Sequence, residues 1–471
     1  MKQLKPLVLS GRSVLPLIEG GKGISVTNGA SAGAWAAAGG VGTFSSVFGD
    51  LYDENGNLIP LIFNGKTRKE RHDELIEYAI KAGVCQAKIA HDVSGGNGCI
   101  HMNILWGISS VEAILHGVLE QTKGLVHGVT CGAGMPFKLA EIAANYGVYY
   151  YPIVSSSRAF NLLWLRAYKK HREWLGGVVY EDPWKAGGHN GISNKEDPEV
   201  AESPYERVRM LRETLSQHGM ADVPIIMAGG VWFLREWSDW IDNSALGPIA
   251  FQFGTRPLLT VESPIPSTWK NKLLDMHEGD VILNHFSPTG FYSSSFNNAF
   301  LQNLQNLSQR QIKVYADEEG GPEGMAPRTT LSMGGARERY AYIDLSDLDR
   351  ATGWIADGYS KIVRTPDATI VFMTPSEFEK IRSDQLHCGG CLTYCRFSNW
   401  SENGEISKDR IPDPRSYCIR KTLYNVAHSG DVDNELVFAG HTAYLFGQDP
   451  FYANGFIPTV KQLIDRILSG D

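Results

Sequence analysis

Gly177-Val178-Val179-Tyr180-Glu181-Asp182-Pro183-Trp184-Lys185-Ala186-Gly187-Gly188-His189-Asn190-Gly191 sets a short apolar run ahead of a glycine-rich turn that ends on a histidine. A brief apolar run bounded by turn residues reads as a buried strand. Two consecutive glycines let the backbone turn sharply and approach a ligand with no Cβ in the way. Histidine is the side chain that titrates nearest neutral pH, so His189 is a candidate proton-transfer group beside a backbone platform. Taken alone, Ala186–Gly191 reads equally well as a loop carrying one exposed histidine out of 13. What surrounds it decides between the two.

Working outward, the same strand-then-turn unit recurs. Strands are expected at 14–18, 41–44, 100–106, 125–130, 149–154, 178–180, 224–228 and 249–253, from apolar runs bounded by glycine or polar turns. Between them lie helical patterns. One spans 30–38, and another runs from about 69 to 82 with Gly83 as its stop. A third is opened by Ser109 with Glu112 as a capping box. The next starts at Pro136 and ends before Gly147, and one covers 157–175. The last is opened by Ser203-Pro204-Tyr205-Glu206. Eight units within about 260 residues match a (β/α)8 TIM barrel, an α/β fold. An open doubly wound sheet also alternates, but it places its glycine turn after the first strand. Here glycine turns follow the first, sixth, seventh and eighth strands.

Beyond about residue 260 the alternation fails. The reading is a barrel over 1–260 and an accessory region over 261–471, packed on the barrel and carrying a cysteine cluster. Within it, 317–335 reads as a linker, 370–373 as a strand and 459–468 as a closing helix. A net charge of −8 without a lysine-arginine block disfavours a nucleic-acid surface. No apolar stretch reaches bilayer length, so no membrane role is expected. Seven cysteines, an odd number, do not form a secreted disulfide framework, and a cytoplasmic location follows. Homo-oligomerisation stays open.

Barrel enzymes build their sites from the loops after the strands, with phosphates after the seventh and eighth. Gly229-Gly230 and Gly254-Thr255 occupy those places, where glycine N–H groups and a threonine hydroxyl can hold a phosphate. Tight turns that barrels need in any case are the plain alternative. The ordered series Gly20-Gly21-Lys22-Gly23, Asn103 in Met-Asn-Ile-Leu, Ala186-Gly187-Gly188-His189, Met227-Ala228-Gly229-Gly230 and Gln252-Phe253-Gly254-Thr255-Arg256 resembles the nitronate monooxygenase (2-nitropropane dioxygenase-like) flavoproteins. That family also includes FMN-dependent enoyl reductases and NAD(P)H:quinone reductases. The resemblance spans residues 15 to about 262, and the tail through Phe438-Ala439-Gly440-His441 looks like a longer bacterial subgroup.

The resemblance implies non-covalent FMN. Gly21, Lys22 and Gly23 would run along the ring edge, with Asn103 and the Asp182 position as hydrogen-bonding partners. Gly188, Gly229, Gly230, Gly254 and Thr255 would hold the phosphate, and His189 would face a small-molecule substrate. The implied reaction converts an alkyl nitronate and molecular oxygen to a carbonyl compound and nitrite. NAD(P)H-dependent reduction of quinones or enoyl thioesters is the alternative, with NAD(P)H as co-substrate, and a non-redox phosphate-binding barrel enzyme is a second. The chain departs from the family pattern at Lys22, Lys185 and Asp182. A lysine near the flavin favours anionic states, unless it points to solvent. An ionised Asp182 can only accept hydrogen bonds.

His387-Cys388-Gly389-Gly390-Cys391-Leu392-Thr393-Tyr394-Cys395, with Cys418 downstream, suggests thiolate ligation of zinc or an iron–sulfur cluster. The spacing matches no standard motif, and a packed cysteine-rich turn is the alternative. His91, His101, His127, Cys99 and Cys131 fall near the third and fourth strands and are candidates for the mouth or the core.

Overall fold

The computed structural model describes residues 2–193, 195–316, 327–334, 339–401 and 411–471. Eight parallel strands close into one barrel: β1 (Leu17–Glu19), β2 (Val41–Ser45), β3 (Cys99–Leu105), β4 (Gly128–Gly132), β5 (Tyr149–Val154), β6 (Val178–Glu181), β7 (Ile225–Ala228) and β8 (Ile249–Phe253). The ring closes where Phe251 and Phe253 of β8 lie opposite Leu17 and Glu19 of β1. Strands β2 and β4 are buried at every position. That continuous burial is what a parallel sheet covered by helices requires. The TIM-barrel expectation holds.

Six helices follow the first six strands: α1 (Gly29–Ala37), α2 (Arg68–Val93), α3 (Val111–Gln121), α4 (Leu139–Asn145), α5 (Ser157–Arg166) and α6 (Pro204–Gln217). Helix α3 buries Val111, Ile114, Leu115, Val118 and Leu119, the stripe its spacing demands. Directly after β7 and β8 the chain makes short 3-10 turns, Leu234–Trp237 and Arg256–Leu258. The closing helix Val460–Leu468, capped by Thr459 and Gln462, packs on α1. Its last residues tie back through the Arg235 N–H to the Gly470 carbonyl.

Several local expectations are corrected. Helix α2 does not stop at Gly83. It runs 26 residues, and a Cβ at Gly83 would come within 2.6 Å of Val118 and 2.7 Å of Ser46. That glycine serves close helix packing, not termination. The Ser109–Glu112 capping box does not form, because Ser110 is the N-cap and Ser109 accepts from Trp400 Nε1 at 3.2 Å. Ser203 does cap α6, but the Glu206 carboxylate is engaged by Arg209. The 157–175 helix breaks at Ala167, and α4 starts at Leu139 rather than Pro136.

At the N-terminal end of the barrel the hairpin Leu7–Leu9/Arg12–Val14 reaches the interior. Ser10 bonds His101 and Tyr151 there, and Arg12 reaches His127. His101, His127 and Cys99 therefore lie at the end away from the mouth. Burial pushes His101 down to about 3 and His127 to about 4, leaving both neutral.

Past the barrel, Gly188–His189 joins an antiparallel sheet with Ser293–Phe296 and Val281–Asn284. A second sheet orders Gln311–Lys313, Thr369–Met373 and Lys361–Arg364. The 317–335 linker lies mostly outside the described residues, and its described part, Arg328–Ser332, is a strand paired with Tyr340–Asp344. No helix among the described residues is long and apolar enough to cross a membrane.

Candidate active site

A cavity of about 650 Å³ opens at the C-terminal ends of the barrel strands. Ligand sites in proteins span roughly 300–1,000 Å³, so it can hold a cofactor-sized molecule. Gly21, Lys22, Gly23, Asn103, Gly188, His189, Gly229, Gly230, Gly254 and Thr255 all line it. Residues separated by more than 200 positions thus meet on one wall. The segments Cys391–Tyr394 and Phe438–Gly440 complete the lining from the far side of the chain.

The glycines have distinct jobs. Gly229 and Gly230 sit at φ +90° and +79°, a region L side chains rarely adopt, and so turn their N–H groups where another residue could not. Gly254 is different: a Cβ there would meet nothing within 4 Å. Protein packing does not require that glycine, and the space it leaves belongs to the cavity. Gly187 lies so close to the Ala439–Gly440 peptide that a Cβ would approach within 2.5 Å. The Thr255 hydroxyl accepts from the Gly440 N–H at 2.9 Å, which leaves its own proton to donate.

His189 is held by Ser287, Nε2 to Oγ at 2.6 Å, with Ser287 bonded to Thr289 at 2.8 Å. Phe438 meets its ring edge-on at 5.4 Å between centroids. Burial pushes its imidazole down to about 4, so it is neutral at pH 7. Glu181, at the end of β6, also lines the cavity. Burial, and then the neighbouring Asp182, push its carboxyl up to about 8. It is protonated at neutral pH. Sequence reasoning passed over it, although its place at a barrel strand end was the available signal.

Lys22 does not point to solvent. Its ammonium turns inward, donating to the Gly20 carbonyl at 2.7 Å and facing Glu19 at 3.6 Å. Burial lowers the lysine and raises the glutamate, which Ser31 also contacts. Asp182 is not among the residues lining the cavity. Its Oδ1 accepts from the Trp184 and Lys185 N–H groups at 2.9 and 3.0 Å and shapes the loop instead. Other residues missed are Thr130, which takes a bond from Asn103 Nδ2 at 3.3 Å, and Arg420.

Among the described residues no group of three or more His, Cys, Asp and Glu side chains is arranged to hold a metal ion. That finding lends no support to either the zinc or the iron–sulfur expectation at the cysteine cluster.

No known protein family matches the sequence, and no curated protein does. Solved structures do match. A nitroalkane oxidase from Streptomyces ansochromogenes is 14% identical, with 97% of this chain and 95% of that one covered and a TM-score of 0.51. The enoyl reductase domain of MlnA from Bacillus amyloliquefaciens is 12% identical, covering 97% and 93%, with a TM-score of 0.52. A FabK variant from Thermotoga maritima is 16% identical, covering 96% and 91%, at 0.50. What they share with this chain is the fold.

Proposed function

We propose that the chain is an FMN-dependent oxidoreductase. The observation that carries the reading is convergence: glycine turns after β1, β6, β7 and β8, with His189, line one cavity. The cavity fits the group, because Gly254 leaves unfilled space where a phosphate would sit. Gly229, Gly230 and Gly254 would present N–H groups to that phosphate and Thr255 a hydroxyl. Gly21–Gly23 and Asn103 would hold the ring. The flavin, when bound, supplies the electron chemistry, while the protein supplies orientation and charge.

For the reacting partner we favour an alkyl nitronate, oxidised with molecular oxygen to a carbonyl compound and nitrite. His189, neutral and fixed by Ser287, offers a hydrogen-bond donor or acceptor at the substrate side. Glu181 holds a proton at neutral pH that it can donate within the cavity. A protonated acid equally suits reduction of an enoyl thioester or quinone by NAD(P)H, and enoyl reductase is the activity named for one protein of the same fold. That is the second reading.

The test is anaerobic. Flavin bleaching by propionate 3-nitronate but not by NADH or NADPH supports the first reading, and the reverse supports the second. Protein that is colourless and stays so after added FMN sinks both and leaves a non-redox phosphate enzyme.

A further inference from the structure

We propose that Cys388, Cys391, Cys395 and Cys418 ligate an iron–sulfur cluster of the four-iron type in the wall of the cavity. Its presence does not depend on the flavin reading, and only its use as an electron partner for the cavity does.

Three of the four sulfurs come from one short loop and the fourth from Cys418, which opens the helix Ile419–Ser429. Three ligands from a tight run and a remote fourth is the logic of four-iron ferredoxin sites. Each thiol interacts electrostatically with each of the other three. Cys388, Cys391 and Cys395 are all buried, and no disulfide joins any pair.

The backbone is arranged for thiolates. The Gly390 N–H donates to Cys388 Sγ at 3.3 Å. Ser398 bonds Cys395 and the Lys421 N–H bonds Cys418. Hydrogen bonds of this kind stabilise cluster sulfurs and tune their potential. Cys418 also sits at the positive end of an 11-residue helix, and the Arg420 charge faces both Cys391 and Cys418. These features work against burial and the neighbouring thiols, which together raise Cys391, Cys395 and Cys418 and keep them protonated until a metal takes the proton's place. Gly390, at φ +67° with its Cβ position 2.4 Å from Trp400, makes the turn that aims its N–H at Cys388.

Zinc gathers its sulfurs within about 2.3 Å of one point, whereas a cluster distributes them around several irons and sets them further apart. Cys391 itself lines the cavity, so the cluster would lie directly against whatever the cavity holds.

The experiment is elemental and spectroscopic, on the full chain purified without oxygen from iron-supplied cells. About four irons and four acid-labile sulfides per chain are expected, with a low-temperature electron paramagnetic resonance signal after dithionite. Cys391→Ser and Cys418→Ser should lose iron and signal, while Cys85→Ser, outside the cluster, keeps both. Zinc, iron without sulfide, or no cluster after reconstitution with iron and sulfide overturns the assignment. Should the serine variants fail to fold by circular dichroism, wild-type stoichiometry and resonance decide it. FMN content is counted on the same sample, so iron without flavin defeats only the flavin reading, and flavin without iron defeats only this one.

Discussion

Glu181→Gln removes a titration while keeping the size and polarity of a protonated carboxyl. The folded carboxyl titrates near 8, against an ordinary value of 4.5. A folded pKa above the unfolded one gives stability that is complete below about 4.5 and lost as pH rises to about 8. At pH 7 the unfolded chain gains about 2.5 pH units of ionisation that the folded chain forgoes, worth about 3 kcal/mol at 1.36 kcal/mol per unit. Part of the side chain faces the cavity, so about 3 kcal/mol is a ceiling and about 1–3 the expected gain. Glu181→Gln should thus raise unfolding stability at pH 7 and leave it unchanged near pH 4.5. Urea unfolding of both proteins, read at pH 4.5, 6 and 7 without added FMN, measures this. Equal stabilities at pH 7, or a gain as large at pH 4.5, would refute the argument that burial keeps this carboxyl protonated.

Gly230→Ala, forced to φ +79° with its Cβ 3.1 Å from Lys185 Cβ, carries about 1–2 kcal/mol of backbone strain. FMN affinity by fluorescence titration should drop about tenfold. Arg256 is fully buried, donates to the Trp232 and Asp471 carbonyls and faces Asp449 at 3.5 Å. Arg256→Met should cost about 1–3 kcal/mol, because the Trp232 and Asp471 carbonyls lose a buried donor while Asp449 keeps Arg466 at 3.7 Å and Trp232 Nε1 at 3.2 Å, and chemical denaturation reads that directly. Burial opposes charge on His428, but Asp50, bonded at 3.1 Å, outweighs it and raises the imidazole. That pair stabilises below about 6.5 and fades as pH rises through the raised value, so Asp50→Asn should flatten the stability profile there. The His189 imidazole should titrate near 4 rather than 6.5, which nitrogen-15 NMR of the flavin-free protein can follow. A midpoint above 6 would remove its neutral role.

The barrel was legible because its signals are local. Apolar runs bounded by turn residues gave β5 at its observed bounds and β8 likewise, and Gly229-Gly230 marked the mouth. Local rules failed where a residue answers to a distant partner. Gly83 looks like a stop signal until Val118 of α3 is placed beside it. Ser109 looks like a cap until Trp400, 291 positions away, claims its hydroxyl. Lys22 was a question of direction, inward or outward, that only the position of Glu19 answers. His101 lies on a strand that touches the mouth, but register puts it at the opposite end beside Ser10.

The charge pattern of the cavity follows from the same long-range packing. Burial drives His189 and Glu181 to their neutral forms, and Glu19 and Lys22 compensate one another. Of the other charged side chains on the lining, Glu112 is paired with Lys138 and Arg420 faces the cysteines, which leaves Lys185 to set the field at the rim. A cation over a floor of neutral groups and turned-out N–H donors favours a ligand that brings its own negative charge. A phosphate-bearing cofactor meets that condition, and so does an anionic nitronate. Lys185 makes the rim cationic, so anionic substrates should be preferred over neutral ones on this chain's own electrostatics.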